Sequence, residues 1–93
     1  MAFHTLNLTM DGTSQQVIST HTPVRQVGFY NVTGNAAVLV GDKNLTATIY
    51  GTSIAAATDS VSFGPFAAQL PFNLDEMYVR GTNTQVIRVW YIT

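Results

Sequence analysis

The sequence predicts an all-β fold, an antiparallel β-sandwich or jelly-roll-like small barrel of about eight short strands with little or no helix. Three observations carry that expectation. Short runs of β-branched, aromatic and alternating residues recur along the chain. Clusters of Gly, Pro, Asn and Asp separate them every several residues. No segment keeps an apolar stripe at the helical period.

Phe3 to Met10 alternates, with His4, Leu6, Leu8 and Met10 on one face and Thr5, Asn7 and Thr9 on the other, the pattern of a half-buried strand. Asp11-Gly12-Thr13-Ser14 supplies a turn, because Asp bonds its own backbone and Gly accepts positive φ. Gln15 to Thr20 reads as a second short strand, which Thr22-Pro23 ends since proline cannot donate to a ladder. Arg25 to Val32 is a third strand, and Thr33-Gly34-Asn35 joins it to a fourth at Ala36 to Val40 as a hairpin. After a turn at Gly41-Asp42-Lys43-Asn44, Leu45 to Tyr50 reads as a strand on its threonines and β-branched residues. Gly51 to Asp59 reads as a loop pinned to the core by Ile54, its alanines too few to sustain a helix. Ser60 to Phe63 is another short strand, ended by Gly64-Pro65, and Phe66 to Asn73 is an extended crossing around Pro71.

Leu74 to Thr93 reads as a closing hairpin with Gly81 to Thr84 as its loop, so that Arg80 faces Gln85, Val79 faces Val86, Tyr78 faces Ile87 and Met77 faces Arg88. One face then collects Leu74, Tyr78, Ile87, Val89 and Tyr91, assigned to the core. The other collects Met77, Val79, Val86 and Trp90, interrupted by Arg88 and Asp75. The last run is apolar on both faces, and a small domain hides one of them, so another protein chain is expected to cover the second. Trp90, Arg88, Met77, Val86 and Val79 are therefore the candidate contact residues, because Trp and Arg dominate interface energetics. The competing assignment swaps the faces and puts Trp90 in the core.

At 93 residues the chain is expected to be one β domain spanning 1–93, near the size at which association commonly supplements a modest core. Cysteine is absent, which removes disulfide frameworks and thiolate metal sites. Only 10% of residues are charged and the net charge is −1, with Arg25, Lys43, Arg80 and Arg88 scattered along the chain. No basic stripe exists to track a phosphate backbone, so no nucleic-acid partner is expected. The apolar stretches are too short to cross a membrane as helices, and the start lacks the charged and apolar regions of a signal peptide, so no membrane partner and no Sec-type export are expected. Asn7, Asn31 and Asn44 each begin an Asn-x-Thr triplet, which chance explains in a chain so rich in Asn and Thr.

The catalytic alphabet is thin. His4 and His21 are the only imidazoles, and neither has a ligand partner at metal-site spacing, so no metal and no cofactor are expected. Asp75 and Glu76 are adjacent, and in a strand they would point to opposite faces rather than converge as an acid–base pair. No Gly-x-Ser-x-Gly elbow, phosphate-binding glycine loop or dinucleotide fingerprint occurs, so no enzyme activity is expected. Trp90, Tyr91, Tyr78, Tyr50 and Tyr30 offer a second possibility, a platform for sugar stacking, set against the ordinary role of aromatics in β cores.

The succession Val40-Gly41-Asp42 with Leu45-Thr46-Ala47-Thr48, then Gly51 and Ile54-Ala55-Ala56, then Val61-Ser62-Phe63-Gly64-Pro65, and finally Leu74-Asp75-Glu76-Met77-Tyr78-Val79-x-Gly81 leading to Val86-x-Arg88-Val89-Trp90-Tyr91-Ile92, resembles small β-rich virion proteins of tailed bacteriophages. The likeness runs over about the C-terminal two thirds; Met1 to Pro23 adds little. It is similar to the group of capsid decoration, cement or minor structural proteins. The resemblance implies a non-enzymatic protein made in the host cytoplasm and placed on the capsid exterior of the virion. Its implied partners are its own copies, a trimer favoured over a dimer, and the major capsid protein. The contact residues named above would then serve an oligomer or capsid interface. The alternatives are a carbohydrate-binding or host-adhesion module, and a tail or neck component.

Overall fold

The computed structural model describes residues 2–32, 37–54, 59–67 and 69–93. Among them ten strands form: Phe3–Thr9 (β1), Ser14–Gln16 (β2), Pro23–Val24 (β3), Gln26–Asn31 (β4), Val38–Gly41 (β5), Thr52–Ile54 (β6), Ser60–Phe63 (β7), Phe72–Asn73 (β8), Tyr78–Arg80 (β9) and Val86–Ile92 (β10). The one helical element described is a 3-10 turn at Leu74–Glu76.

All strand pairs are antiparallel, and eight strands make two four-stranded sheets. The first runs β1-β10-β4-β7 and the second β2-β9-β5-β6, while β3 and β8 pair separately. The pairing has one rule: β1 with β10, β2 with β9, β4 with β7 and β5 with β6. That is a long hairpin whose tip is β5–β6, folded so that successive pairs alternate between sheets. The result is the double-sheet jelly roll anticipated as one of two forms.

Alternation along each strand builds the core between the sheets. From β4 and β10 come Val27, Phe29, Ile87 and Val89; from β5, β6 and β9 come Val38, Val40, Ile54 and Val79; Met10, Val17, Val24, Leu74 and Met77 fill the ends. Phe29 and Phe63 meet edge to face with ring centroids 6.1 Å apart. Full burial of such side chains is worth about 1.5–3 kcal/mol each.

Two expected hairpins do not exist. The third and fourth expected strands correspond to β4 and β5, which lie in different sheets; Thr33-Gly34-Asn35, their expected turn, falls outside the described residues. The closing segment is likewise split. β9 pairs with β2 and β5, whereas β10 pairs with β1 and β4, so Gly81 to Thr84 carries the chain across the sandwich. Gln85 stitches this crossing: its buried Oε1 accepts from the Thr82 N–H at 3.0 Å and its Nε2 donates to Asn31 Oδ1 at 3.1 Å. The expected strand at Leu45 to Tyr50 is also absent. There the Thr46 hydroxyl accepts from the backbone N–H of Thr48 and Ile49, closing a local turn that competes with a ladder. The second expected strand shortens to β2, with Val17 buried beyond it. Ile54 is buried as expected, though within β6 rather than a loop.

The core face of β10 is therefore Ile87, Val89 and Tyr91, and the core residue of β9 is Val79. Ile87→Ala should lower unfolding free energy by about 2–5 kcal/mol in denaturant titration. Tyr78→Ala, on the outward side of β9, should cost distinctly less, an order that the abandoned hairpin register would not produce.

Candidate interaction surface

On the outer face of the first sheet, side chains fall into cross-strand rows set by the register. One row is Thr5, Trp90, Gly28 and Ser62; the next is Asn7, Arg88, Tyr30 and Ser60; a third is Phe3, Ile92 and Gln26; and Thr9 pairs with Val86. Trp90 lies flat against β4. Any side chain at Gly28 would collide with its Cε2, Nε1 and Cζ2 atoms, so only glycine leaves space for the indole. The Phe3 ring stacks on Trp90 with centroids 5.9 Å apart and planes 18° from parallel. Phe3 itself is 65% exposed. Arg88 is exposed and donates from Nε to Asn7 Oδ1 at 3.2 Å, which holds the guanidinium over the sheet.

The five candidate contact residues thus separate. Trp90, Arg88 and Val86 share this outer face, Trp90 and Val86 half-buried. Val79 and Met77 do not: both are buried in the core cluster, away from this face. The assignment failed because it took the phase of β9 from β10 through a hairpin pairing that does not form. Tyr78, assigned to the core, is instead half-exposed on the outer side of β9. Leu74, Ile87 and Val89 are buried and Tyr91 packs against the core as expected. The sequence reading missed Phe3, Gly28 and Ile92, and named Tyr30 only as part of an aromatic platform, not beside Arg88. The period-2 pattern of β1 and β4 held the signal, since Phe3 falls in phase with Thr5 and Asn7, and Gly28 and Tyr30 fall out of phase with Val27 and Phe29.

Titratable groups gather elsewhere. Asp42, Lys43, Asp75, Glu76 and Tyr78 line a shallow cleft of about 420 Å³. Asp75 and Glu76 sit in the 3-10 turn, not in a strand, and both reach this cleft instead of pointing to opposite faces. The Thr22 backbone N–H, donating to Asp75 Oδ1 at 3.1 Å, holds that carboxyl below the usual Asp range, with His21 Nδ1 adding to the effect at 3.4 Å. Asp11 is lowered as well, first by the Thr13 hydroxyl at 2.7 Å and then by its backbone N–H at 2.9 Å. Among the described residues no group of three or more His, Cys, Asp or Glu is placed to hold a metal ion. A second opening of about 290 Å³ is apolar, lined by Phe63, Phe66, Phe72 and Met77.

Comparisons with known proteins add little. No family model matches the chain, and no curated protein matches it. A solved structure described as "Bacillus endospore appendages form a novel family of disulfide-linked pili" is similar at TM-score 0.48 and 15% identity, over 98% of this chain and 85% of that one. Those pili are disulfide-linked by that description; this chain has no cysteine.

Gly28→Ala should displace the indole of Trp90, the chain's one tryptophan, giving red-shifted emission and a loss of about 1–3 kcal/mol from overpacking. Asp75 and Asp11 titrate lower in the folded chain than in the unfolded one. They therefore stabilise the fold above the ordinary Asp value of about 3.9, and that contribution is lost as pH falls through it and through the lower folded values. The thermal midpoint should hold steady down to about pH 5 and drop below about pH 4. In Asp75→Asn the drop should be shallower.

Proposed function

We propose that this chain is a non-enzymatic structural protein of a virion, a capsid decoration protein that self-associates and docks on the outer shell. The observation that carries the reading is the outer face of the first sheet, where Arg88 lies between Trp90 and Val86, with Phe3 and Ile92 in the row beyond Trp90, and none of the described strands lies over them. A flat aromatic face with one arginine is the composition of an interface centre. The resemblance of the C-terminal two thirds to small phage virion proteins supplies the location, and the low charge supplies the mode of binding. Few charges mean that contacts are apolar and hydrogen-bonded, so attachment persists as salt rises. A decoration protein opposes internal pressure by bridging neighbouring capsomers, and many copies of a standard-sized contact suffice.

Trp90 favours one further reading. An indole held flat on a glycine, with Asn7, Gln26, Tyr30 and Arg88 at its margin, also suits the apolar face of a pyranose, as in a host-adhesion module.

Shells with and without bound protein, challenged by heat and by chelator, test the first reading. Decorated shells should survive longer, and Trp90→Ala protein that remains folded should fail to bind. Equal breakage with and without the protein overturns the role. Binding on a glycan array, lost in Trp90→Ala, would move the assignment to adhesion.

A further inference from the structure

The four edges of the two sheets are unequal. β2 and β6 have three residues each and β7 has four, but β1 has seven, Phe3 to Thr9, without a charge, a proline or a bulge. Natural sheets guard long edges with one of those devices, because an unguarded edge templates another strand. Among the described residues β1 pairs with β10 alone.

The backbone phase of that edge follows from the register. Thr93 N–H donates to Ala2 C=O and Met10 N–H donates to Gln85 C=O, on the same diagonal as Leu6↔Val89. Even-numbered residues of β1 thus bond to β10, and Phe3, Thr5, Asn7 and Thr9 point their N–H and C=O groups outward. The Thr9 carbonyl is engaged by Gln15 Nε2 at 3.4 Å. What is left is the symmetric set Phe3, Thr5 and Asn7, centred on Thr5.

We propose that β1 pairs antiparallel with β1 of a second copy, with Thr5 on the two-fold axis and Phe3 opposite the second copy's Asn7. Each of the three outward residues then exchanges both backbone bonds with its partner. The pairing is isologous, so it closes at two copies. A two-fold pair differs from the trimer that the virion resemblance favours. The side chains of β1 fit the same occupant: Leu6 and Leu8 are only half-buried while their neighbours Ile87 and Val89 on β10 are fully buried, because among the described residues no strand lies beyond the edge. A second copy covers them, and it joins two outer faces into one eight-strand surface carrying both Trp90 shelves. This names the contact behind the self-association proposed above and rests on that part of it; shell docking is a separate matter.

Sedimentation of the wild type should give twice the 10.1 kDa chain mass. Thr5→Lys, which sets like charges facing on the axis, should give a monomer with unchanged far-UV dichroism at concentrations where the wild type is paired. The cysteine-free background allows a second measurement that needs no loss of folding. Thr5→Cys should cross-link to its own copy on mild oxidation, while Thr9→Cys, about 26 Å from its equivalent in this register, should not. A monomeric wild type, an assembly of another size that Thr5→Lys leaves intact, or equal cross-linking of the two cysteine variants overturns the proposal. Persisting assembly in Thr5→Lys would remove this edge but leave self-association standing, and shell binding by a monomer would leave docking standing.

Discussion

The rest of the structure depends on β10 being a central strand with two different faces. It is held on one side by β1 and on the other by β4, so its backbone is spent on both ladders and its side chains alone decide what it touches. Ile87 and Val89 go inward and seal the sandwich. Val86, Arg88, Trp90 and Ile92 go outward, and a glycine on β4 opens the space in which the indole lies. Core stability and surface chemistry are thus written in alternate letters of one seven-residue segment, and a shift by one residue would exchange them.

The jelly-roll wrapping explains why so much of the remaining chain is short. Among the described strands every connection but the one from β5 to β6 changes sheet, and each crossing costs residues that cannot join a ladder. Gln85 and Asn31 show how such a crossing is made tolerable in a small core: their amides bond each other, and Gln85 also takes up a backbone N–H of the crossing itself. A buried polar pair of this kind is sustainable because its members satisfy one another.

Strand identity was legible where a face was clean. β1 follows from period-2 alternation, β4, β5, β7 and β10 from β-branched and aromatic runs set between turns, and the all-β class follows from them and from the turn spacing. Partner choice was not legible. Thr33-Gly34-Asn35 and Gly81 to Thr84 have the composition of hairpin loops, and the same residues serve equally to carry a chain between sheets, since Gly, Asn and Thr supply freedom and local hydrogen bonds in either case. Once β9 and β10 separate, the phase of one says nothing about the other, which is how Val79 and Met77 came to be expected outside and Tyr78 inside. Leu45 to Tyr50 failed for a different reason: its β propensity was real, but the Thr46 side chain offers the backbone a nearer acceptor. Of the contact surface, Trp90, Arg88 and Val86 could be read from one strand, whereas Phe3, Gly28 and Tyr30 needed the neighbours of that strand.

The fit of Trp90 on Gly28 ties two distant positions to a single fate. Any side chain at 28 evicts the ring, and any smaller residue at 90 bares a strip of main chain between β1 and β4. Sequence drift can therefore cross this point only by paired replacement, so among descendants of this chain the two sites are expected to covary more tightly than either does with its own neighbours along the strand.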